Sequence, residues 1–386
     1  MALGGRKISG ESRLREVTSA MHVCHFSSGS MDTAYFHNMA MGLTERGHAV
    51  SLVTLGPDGV PESLNAVPNV VCTSLGVRSR TVYPWAIAKL ARQLRTDNVD
   101  ICHAHLFDGG VVGVMAARLA HGPVSVLGRH HHDHHQMKRR HAHVAVDRLT
   151  AQLADCTVAP SKAVREHMRT VERVDTDRIE VIHYGFDYSA IDSAAAGSEV
   201  VRKEHGLETA FIIGFTGRLV PDKGLDYLLE ATRMIEPEIP QLKLMLVGDA
   251  GSRWLQSAIA AHDLSDRVVL VGFRRDVPRY MAAMDLAVHP SLSDSFPQAL
   301  IEAMAVETPV IATDVGGIPE IVSNDATGIL VQPRDAPALA QAIRDLYQDP
   351  DRRRGFARAG MQAVRERFTL NAMITRHLAL YESLCR

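Results

Sequence analysis

The chain has 386 residues, of which 46% are hydrophobic and 22% charged, as in an ordinary globular protein. Because this length exceeds what one hydrophobic core usually serves, two domains are expected. A formal net charge of −2 gives no reason to expect nucleic acid as a partner, and no apolar run is long enough to suggest a membrane span. Five scattered cysteines and the lack of an apolar signal core at the start favour a reduced, cytoplasmic protein.

The first half of the chain alternates short apolar runs with helical patterns. After a polar segment over residues 1–19, which is expected to be loose, helices are predicted over residues 34–47 and 85–94 and in a pattern that ends at Leu153. Strands are predicted between them over residues 21–26, 49–55, 70–75, 101–107, 123–128, 156–161 and 179–187. Parallel strands with helical crossovers form a doubly wound sheet, so residues 1–190 are predicted to be a Rossmann-like α/β domain.

The second half repeats this pattern after a segment with linker character. Residues 191–208, which contain AAAGS, are predicted to be the linker, and residues 209–367 a second Rossmann-like domain. Its strands are predicted over residues 211–217, 242–248, 267–273, 286–291, 309–313 and 328–333. The predicted fold class is therefore α/β, with two doubly wound parallel sheets that face each other across a cleft. Ligands bind such sheets at the carboxyl ends of the strands.

Residues 291–314, SLSDSFPQALIEAMAVETPVIATD, predict a loop, a helix and a strand. Pro297 suits the first turn of the helix, and Asp294 or a neighbouring serine is expected to cap it. The helix is apolar almost all round, yet it contains Glu302. Two carboxylates beside the free amides of a helix start predict a polar, phosphate-bearing ligand. The alternative is structural, with Glu302 paired to an arginine of its own fold and Asp294 acting only as a cap.

Two cations follow the first strand of the second half, in GRLVPDKG (217–224). This segment is neither a Walker P-loop nor a dinucleotide-binding GxGxxG motif. Arg218, with its planar fork of donors, and Lys223, a point cation, are expected at the carboxyl edge of the sheet, where they can hold a diphosphate. Solvated surface charges are the alternative. Two further strand ends allow close approach to a base or phosphate, at Gly248 and at Phe273 and Arg274.

In this order, GFTGRLVPDKGLDYLLEA, LMLVGDAG, RVVLVGF, the carboxylate pair and PVIATDVGGIPEIV resemble the donor-binding half of retaining glycosyltransferases of the GT-B fold, glycosyltransferase family 4. The first half is similar in outline, and its IHYGFD stands where the family often has a PNG-type turn. The resemblance implies a GT-B fold with an acceptor domain over residues 1–190 and a nucleotide-sugar donor domain over residues 209–367. It also implies that a helix over residues 368–386 packs back on the first domain as part of a hinge.

The resemblance implies roles for the residues at matching positions. Arg218 and Lys223 would hold the diphosphate of a nucleotide sugar, most readily a UDP-sugar. Glu302 would accept hydrogen bonds from the ribose, and Asp294 would position the donor sugar. The other donor-side residues are Gly29, Gly248, Phe273, Arg274, Ser295 and Phe296, of which Phe273 and Arg274 would meet the base.

Two positions depart from the family's pattern. Asp294 stands where glutamate is usual and is shorter by one carbon–carbon bond of about 1.5 Å. Because a charged hydrogen bond misplaced that far loses about 1.5–3 kcal/mol, an altered donor preference is expected. The family's glycine-rich first loop here reads SSGS, which leaves Gly29 as its candidate for close backbone approach.

Histidines are frequent, 20 in all, with a run RHHHDHH that begins at Arg129. Imidazole and carboxylate ligands suit zinc or nickel, but consecutive side chains point in different directions, so a metal site here is the less favoured reading. The resemblance implies that a histidine after this strand faces the donor sugar, and His130 or His131 matches that place. His105, near the end of an earlier strand, is the acceptor-side candidate, and His103 is as well explained as a core residue.

The resemblance further implies transfer with retention by front-side attack, with no covalent enzyme nucleophile and no metal or other cofactor. Two cations and a helix amino terminus can stabilise the leaving diphosphate without a metal. The acceptor would be a hydroxyl of an envelope lipid or polysaccharide precursor, or of a small natural product. A lipid acceptor and the basic run at residues 138–140 would imply peripheral contact with the inner face of a membrane. The alternatives are a nucleotide-sugar 2-epimerase of similar architecture and a non-catalytic nucleotide-sugar-binding protein.

Overall fold

The computed structural model describes residues 20–31, 33–57, 62–65, 67–130, 141–249, 251 and 253–386. Two β-sheets form its centre, one of seven strands and one of six, and all the strand pairs described are parallel. The predicted α/β class with two doubly wound sheets is confirmed. Within the described ranges, no helix is both long and apolar enough to cross a bilayer.

The first domain contains the seven-stranded sheet, in the order β3-β2-β1-β4-β5-β6-β7. Its strands are β1 His22–Ser27, β2 Ala49–Thr54, β3 Val70–Ser74, β4 Ile101–His105, β5 Val124–Gly128, β6 Cys156–Ala159 and β7 Ile179–Val181. Its helices are α1 Ala34–Thr44, α2 Glu62–Asn65, α3 Tyr83–Thr96, α4 Phe107–Ala120, α5 His141–Leu153 and α6 Lys162–Thr170.

The segment predicted to be a linker is largely helical, with α7 at Tyr188–Ala195 and α8 at Ser198–Glu204. Asp187 caps α7 by accepting a hydrogen bond from the Ser189 backbone N–H. Gly197, in the left-handed conformation at a φ of 81°, separates the two helices. The small residues of AAAGS therefore mark a turn between two short helices of the predicted linker.

The second domain contains the six-stranded sheet, in the order β10-β9-β8-β11-β12-β13. Its strands are β8 Phe211–Thr216, β9 Leu242–Val247, β10 Val268–Gly272, β11 Leu286–His289, β12 Val310–Thr313 and β13 Ile329–Val331. Its helices are α9 Leu225–Ile235, α10 Arg253–Ala261, α11 Val277–Ala282, α12 Gln298–Ala305, α13 Ala336–Gln348 and α14 Pro350–Arg367.

The strands form where the sequence carries continuous apolar runs, because helices cover both faces of each parallel sheet. All six residues of β8 are buried, for example. Thirteen predicted strands are present, and all but β1 are shorter than predicted, β7 by the most. β4 ends at His105 because Leu106 has a φ of 65° and Phe107 opens α4, while β7 ends at Val181.

The chain crosses between the domains twice, and the two crossings pair with each other. The Phe186 N–H donates to the Phe368 carbonyl at 3.0 Å, and the Leu370 N–H donates to the Phe186 carbonyl at 3.1 Å. The last helix, α15 Leu370–Leu384, then packs beside α1 on the first sheet. Its buried residues Met373, Ile374, Leu378 and Tyr381 belong to the same core cluster as β1 and β2.

Candidate active site

A cleft of about 730 Å³ opens between the carboxyl ends of the two sheets. The second domain contributes Gly217, Arg218, Lys223, His289, Asp294, Ser295 and Phe296 to its lining. The first domain contributes Ser30, Tyr35, His105, His130 and Tyr184. A neighbouring cavity of about 490 Å³ shares Gly217 and Arg218 with the cleft, so a ligand can extend from one into the other.

Asp294 is the centre of a buried polar cluster in the second-domain wall. Its Oδ2 lies 2.5 Å from Lys223 Nζ and 3.1 Å from His289 Nε2. The Ser291 hydroxyl lies 3.0 Å from the same imidazole nitrogen. Burial alone would raise the pKa of Asp294, but the hydrogen bond from His289 and the positive charge of Lys223 outweigh it and hold this pKa well below its usual range. Asp294 is therefore a permanent anion beside a cation.

The loop that carries Asp294 is fixed by close backbone packing. Gly316 has a φ of 53°, and a Cβ there would lie 1.9 Å from the Asp294 carbonyl oxygen. The Gly317 N–H donates to that oxygen at 3.1 Å. The expectation that Asp294 or a serine caps α12 is wrong, because Pro297 occupies the N-cap position and no side chain caps the helix. The carboxylate is directed to Lys223 and His289 instead.

Arg218 lies at the junction of the cleft and the smaller cavity. Its side chain is exposed, and it makes no hydrogen bond or ion pair with the described part of the chain. Lys223 is half-buried and already paired with Asp294. The two predicted diphosphate-binding cations are thus brought together, one unpaired and one shared with a carboxylate.

Two predicted donor-side residues lie outside the lining of both cavities. Glu302 is half-buried on α12, and burial raises its pKa to about 7. No ion pair or side-chain hydrogen bond to Glu302 is found within the residues described, so the proposed arginine partner is not seen. Gly29 packs against Leu106, whose Cδ1 would lie 2.8 Å from a Cβ at this position, and its neighbour Ser30 lines the cleft instead.

The smaller cavity has an apolar lining with a cation at its edge. Phe273 is 74% exposed there, and the Arg274 guanidinium lies 5.2 Å from the centroid of the Tyr280 ring. Gly248 also lines this cavity, where a Cβ would lie 2.0 Å from the Gly217 carbonyl oxygen. A flat apolar group bounded by polar edges, such as a nucleobase, suits this shape.

The first-domain wall is made of histidine and tyrosine rings. The His130 Nε2 lies 2.8 Å from the His105 Nδ1, and the His130 Nδ1 lies 2.6 Å from the Tyr184 hydroxyl. Burial and neighbouring imidazoles lower the pKa of His105 far below its usual value. His105 and His130 are thus brought to one wall, whereas His131 and the rest of the run to His135 lie outside the described residues.

Ser295 and Phe296 join the two walls. The Ser295 hydroxyl donates to the His130 carbonyl oxygen at 3.0 Å. The Phe296 ring is buried and stacks on His183, with ring centroids 4.9 Å apart. A second interdomain contact runs through Glu320, whose carboxylate accepts from the Ala163 N–H and lies 3.0 Å from His183 Nε2.

One group of side chains has the composition of a metal site. Ring nitrogens of His25, His103 and His105 lie within 4.8 Å of one another in the core of the first domain. The register of β1 and β4 explains this grouping, because His25 pairs with His103 and the two strands direct alternate residues to one face. The group adjoins the cleft at His105 only.

Sequence reasoning missed three residues of this region. His289 ends β11 as His105 ends β4, and the same strand-end argument would have found it. Tyr184 lies in IHYGFD, which was noted only as a turn. His25 gave no signal, since its importance depends on which strand lies next to β1.

Two family models match the chain, one on each domain. The model described as Glycosyltransferase Family 4 covers residues 33–190, and the model described as Glycosyl transferases group 1 covers residues 198–363. Together they include the cleft walls from Tyr35 to Glu320.

Relatives and solved structures agree with this match. The alpha-maltose-1-phosphate synthase of Mycolicibacterium smegmatis is 30% identical over 254 residues, which are 62% of this chain and just under two thirds, 66%, of that protein. The 2-deoxystreptamine glucosyltransferase of Streptomyces kanamyceticus is 26% identical over 382 residues, 89% of this chain and 96% of that protein. The crystal structure of HepE from Anabaena in complex with UDP-glucose has the same fold, with a TM-score of 0.81 at 23% identity over 94% of this chain and 100% of that chain.

Proposed function

Since this chain belongs to the glycosyltransferases of family 4, we propose that it transfers a sugar from a nucleotide diphosphate sugar to a hydroxyl acceptor. We further propose that the donor is a UDP-sugar, that the anomeric configuration is retained, and that no metal ion takes part in the transfer. The expectation of glycosyltransferase family 4 made from the sequence motifs is confirmed by the two family models.

One observation carries this proposal: Arg218 lies at the junction of the cleft and the apolar cavity, and Lys223 lines the same cleft. A diphosphate at that junction would direct its base into the smaller cavity and its sugar toward Asp294. The negative charge that grows on the leaving diphosphate would be stabilised by both cations. This arrangement supplies the charge that a bound divalent metal supplies in other transferases.

The first-domain wall would face the acceptor. Asp294 is held by Lys223 and His289, so it would position sugar hydroxyls and would not act as a nucleophile. In a front-side attack, the departing phosphate oxygen takes the proton of the acceptor hydroxyl as the new bond forms on the same face of the sugar. Tyr184, held by His130 and His105, would orient that acceptor hydroxyl.

Uridine is proposed as the base because HepE, which has the same fold, is solved with UDP and UDP-glucose. The acceptor class remains a hydroxyl compound, either a small natural product or an envelope lipid or polysaccharide precursor. The names of the relatives support both, since one is a 2-deoxystreptamine glucosyltransferase and another a galactosyltransferase acting on a diphosphoundecaprenol-linked sugar.

A thermal-shift panel with UDP, GDP, ADP and TDP tests this proposal, run on the wild type and on Glu302→Ala. A ligand at 100 times its dissociation constant stabilises the folded protein by about 2.7 kcal/mol, which visibly raises the melting temperature. We expect a shift with UDP that is lost in Glu302→Ala. A shift with a different nucleotide would replace uridine, and no shift with any of the four would reject the nucleotide-sugar donor.

A further inference from the structure

Four rings form an unbroken hydrogen-bonded chain from the core of the first domain to the cleft. The His25 Nδ1 lies 2.9 Å from the His105 Nε2, the His105 Nδ1 lies 2.8 Å from the His130 Nε2, and the His130 Nδ1 lies 2.6 Å from the Tyr184 hydroxyl. We call these four residues the imidazole relay. Its inner end is fully buried, and its outer end lines the cleft.

The buried imidazoles of the relay are neutral. Burial, together with the nearby imidazoles of His377 and His130, lowers the pKa of His25 to about 3, and burial lowers that of His105 far below its usual value. A neutral imidazole has one N–H and one lone pair, so each ring donates at one nitrogen and accepts at the other. With His130 neutral as well, every bond of the relay runs in the same direction.

The two directions give the Tyr184 hydroxyl opposite roles. If each ring carries its hydrogen on Nδ1, His25 donates to His105, His105 to His130, and His130 to the Tyr184 oxygen. The hydroxyl hydrogen is then free to point into the cleft. If each ring carries its hydrogen on Nε2, all the bonds reverse. The Tyr184 hydroxyl then donates its hydrogen to His130, and only its lone pairs face the cleft.

The unpaired inner end of the relay distinguishes the two directions. The His25 Nε2 is buried and has no hydrogen-bond partner within the described chain. In the Nε2–H direction this atom would be a buried donor with no acceptor, whereas in the Nδ1–H direction it is only an unused lone pair. Orphaned buried N–H groups are rarer than under-satisfied acceptors. Burial raises the pKa of Tyr184, and the negative charge of Asp294 in the opposite wall raises it further, so the hydroxyl keeps its hydrogen.

We propose that the relay is held in the Nδ1–H direction and thereby makes Tyr184 a hydrogen-bond donor to an oxygen of the ligand in the cleft. Tyr184 would contact the ligand, and His25 and His105 are positioning residues that act through His130. The identity of that ligand, a nucleotide sugar or its hydroxyl acceptor, rests on the proposed function. The direction of the relay does not depend on it.

Long-range ¹H–¹⁵N NMR of the ligand-free protein, labelled with ¹⁵N on histidine, tests the direction. We expect Nδ1–H tautomers at His25, His105 and His130, unchanged in the presence of EDTA. His377 is an internal reference, because its Nδ1 lies 2.9 Å from the Met373 carbonyl oxygen, which can only accept. Nε2–H tautomers at His25 and His105, or a mixture of the two, would overturn the proposal.

Single variants assign the signals and separate the relay from a metal site. His25→Phe and His105→Phe each remove one pair of ring signals, and glutamine replaces phenylalanine where that variant does not fold. Because His25, His103 and His105 have ligand atoms within 4.8 Å of one another, the metal content of the purified protein is measured as well. Stoichiometric zinc or copper whose removal changes the His25 and His105 signals would overturn the relay in favour of a metal centre.

Binding of UDP-glucose, measured by calorimetry, tests the consequence for the ligand. Loss of one hydrogen bond in Tyr184→Phe should weaken binding by up to about tenfold. Tyr347→Phe, on α13 and outside the lining of both cavities, removes a hydroxyl elsewhere and is the matched control. Unaltered affinity in Tyr184→Phe would reject the contact with this ligand. If the wild type does not bind UDP-glucose, the choice of donor fails, and the NMR result still decides the direction of the relay.

Discussion

The two walls of the cleft use different chemistry on similar sheets. The second-domain wall is ionic, because the charged side chains of Arg218, Lys223 and Asp294 line it. All three residues follow strand ends. The first-domain wall is backed by neutral rings, since His25 and His105 are buried imidazoles whose pKa values are lowered. One wall can therefore attract a diphosphate by charge, while the other can only present donors and acceptors in fixed directions.

This difference explains why the neutral wall does not compete for the anion. A protonated imidazole would be a third cation facing the diphosphate, and burial prevents that charge from forming. Contacts made by the neutral wall then depend on hydrogen-bond direction and are little screened by salt, whereas the ionic wall is sensitive to both charge and salt. The effects of substitutions on the two walls should therefore differ in their dependence on charge and salt as well as in size.

The largest effect on transfer is expected when either of the two cations is removed. Arg218→Ala should lower kcat/KM for transfer by about 10–100-fold, because a hydrogen bond to a charged group contributes about 1.5–3 kcal/mol. Lys223→Ala should lower it further and should also destabilise the protein, since removing one partner of a buried ion pair costs about 3–5 kcal/mol. Steady-state kinetics and urea unfolding measure the two effects.

Arg354→Ala, at an exposed site on α14, is the matched control and should leave both quantities unchanged. Near-normal transfer by either cleft variant would contradict the proposed role of that cation in binding the diphosphate.

The second effect concerns the carboxylate that balances these cations. Asp294→Asn keeps the shape but removes the charge, so it should lower kcat by about tenfold or more through loss of a charged hydrogen bond. Asp294→Glu restores the residue usual in the family and should change the preference between donor sugars. Competition assays with pairs of UDP-sugars measure that preference. Equal activity of wild type and Asp294→Asn would show that the carboxylate only holds Lys223.

Glu302 should make stability depend on pH. Its pKa is raised to about 7 by burial, above the usual value of 4.5, so the folded state binds more protons than the unfolded state between these values. The free energy of unfolding should therefore fall as the pH rises from about 4.5 to 7 and lose no more from this residue above pH 7. At pH 8, Glu302→Gln should be more stable than the wild type by about 1–3 kcal/mol.

Urea unfolding at pH 5 and pH 8 measures this difference between the two proteins. A constant difference at both values would show that Glu302 has an ordinary pKa. UDP binding by the same variant separates this stability effect from the proposed contact with the ribose.

The smallest effect is expected where the two walls touch. Ser295→Ala removes the hydroxyl that donates to the His130 carbonyl oxygen and should reduce stability by about 0.5–1.5 kcal/mol. Ser295→Thr keeps the donor and serves as its control. A loss of transfer far larger than the loss of stability would indicate that Ser295 contacts the donor itself.

Much of the fold could be predicted from the sequence, because local patterns of apolar and helix-start residues determine its strands and helices. Continuous apolar runs predicted thirteen strands, and helix-start signals placed Pro297 next to α12 within one residue. The failure of Asp294 to cap α12 was not predictable in the same way, since Lys223 lies 71 residues earlier and competes for the carboxylate. The two helices of the linker were not predicted, because small residues mark either a flexible segment or a helix break.

The imidazole relay could not be predicted, because it depends on strand order and on long-range contacts. β1 lies between β2 and β4, which puts His25 beside His105 although 80 residues separate them. His130 was predicted at the cleft from family resemblance, and the alternative, His131, stays a prediction outside the described residues. The motifs therefore indicated the ionic wall, whereas the neutral wall needed the structure.

The position of α15 has a consequence for synthesis of the chain on the ribosome. The core of the first domain needs Met373, Ile374 and Tyr381, yet roughly 190 residues (370 − 181) separate β7 from α15. At about 5–20 residues per second these take about 10–40 s to translate. The second domain is therefore complete on the nascent chain while the first domain still lacks its covering helix. Folding of the first domain ends last, although its strands are made first.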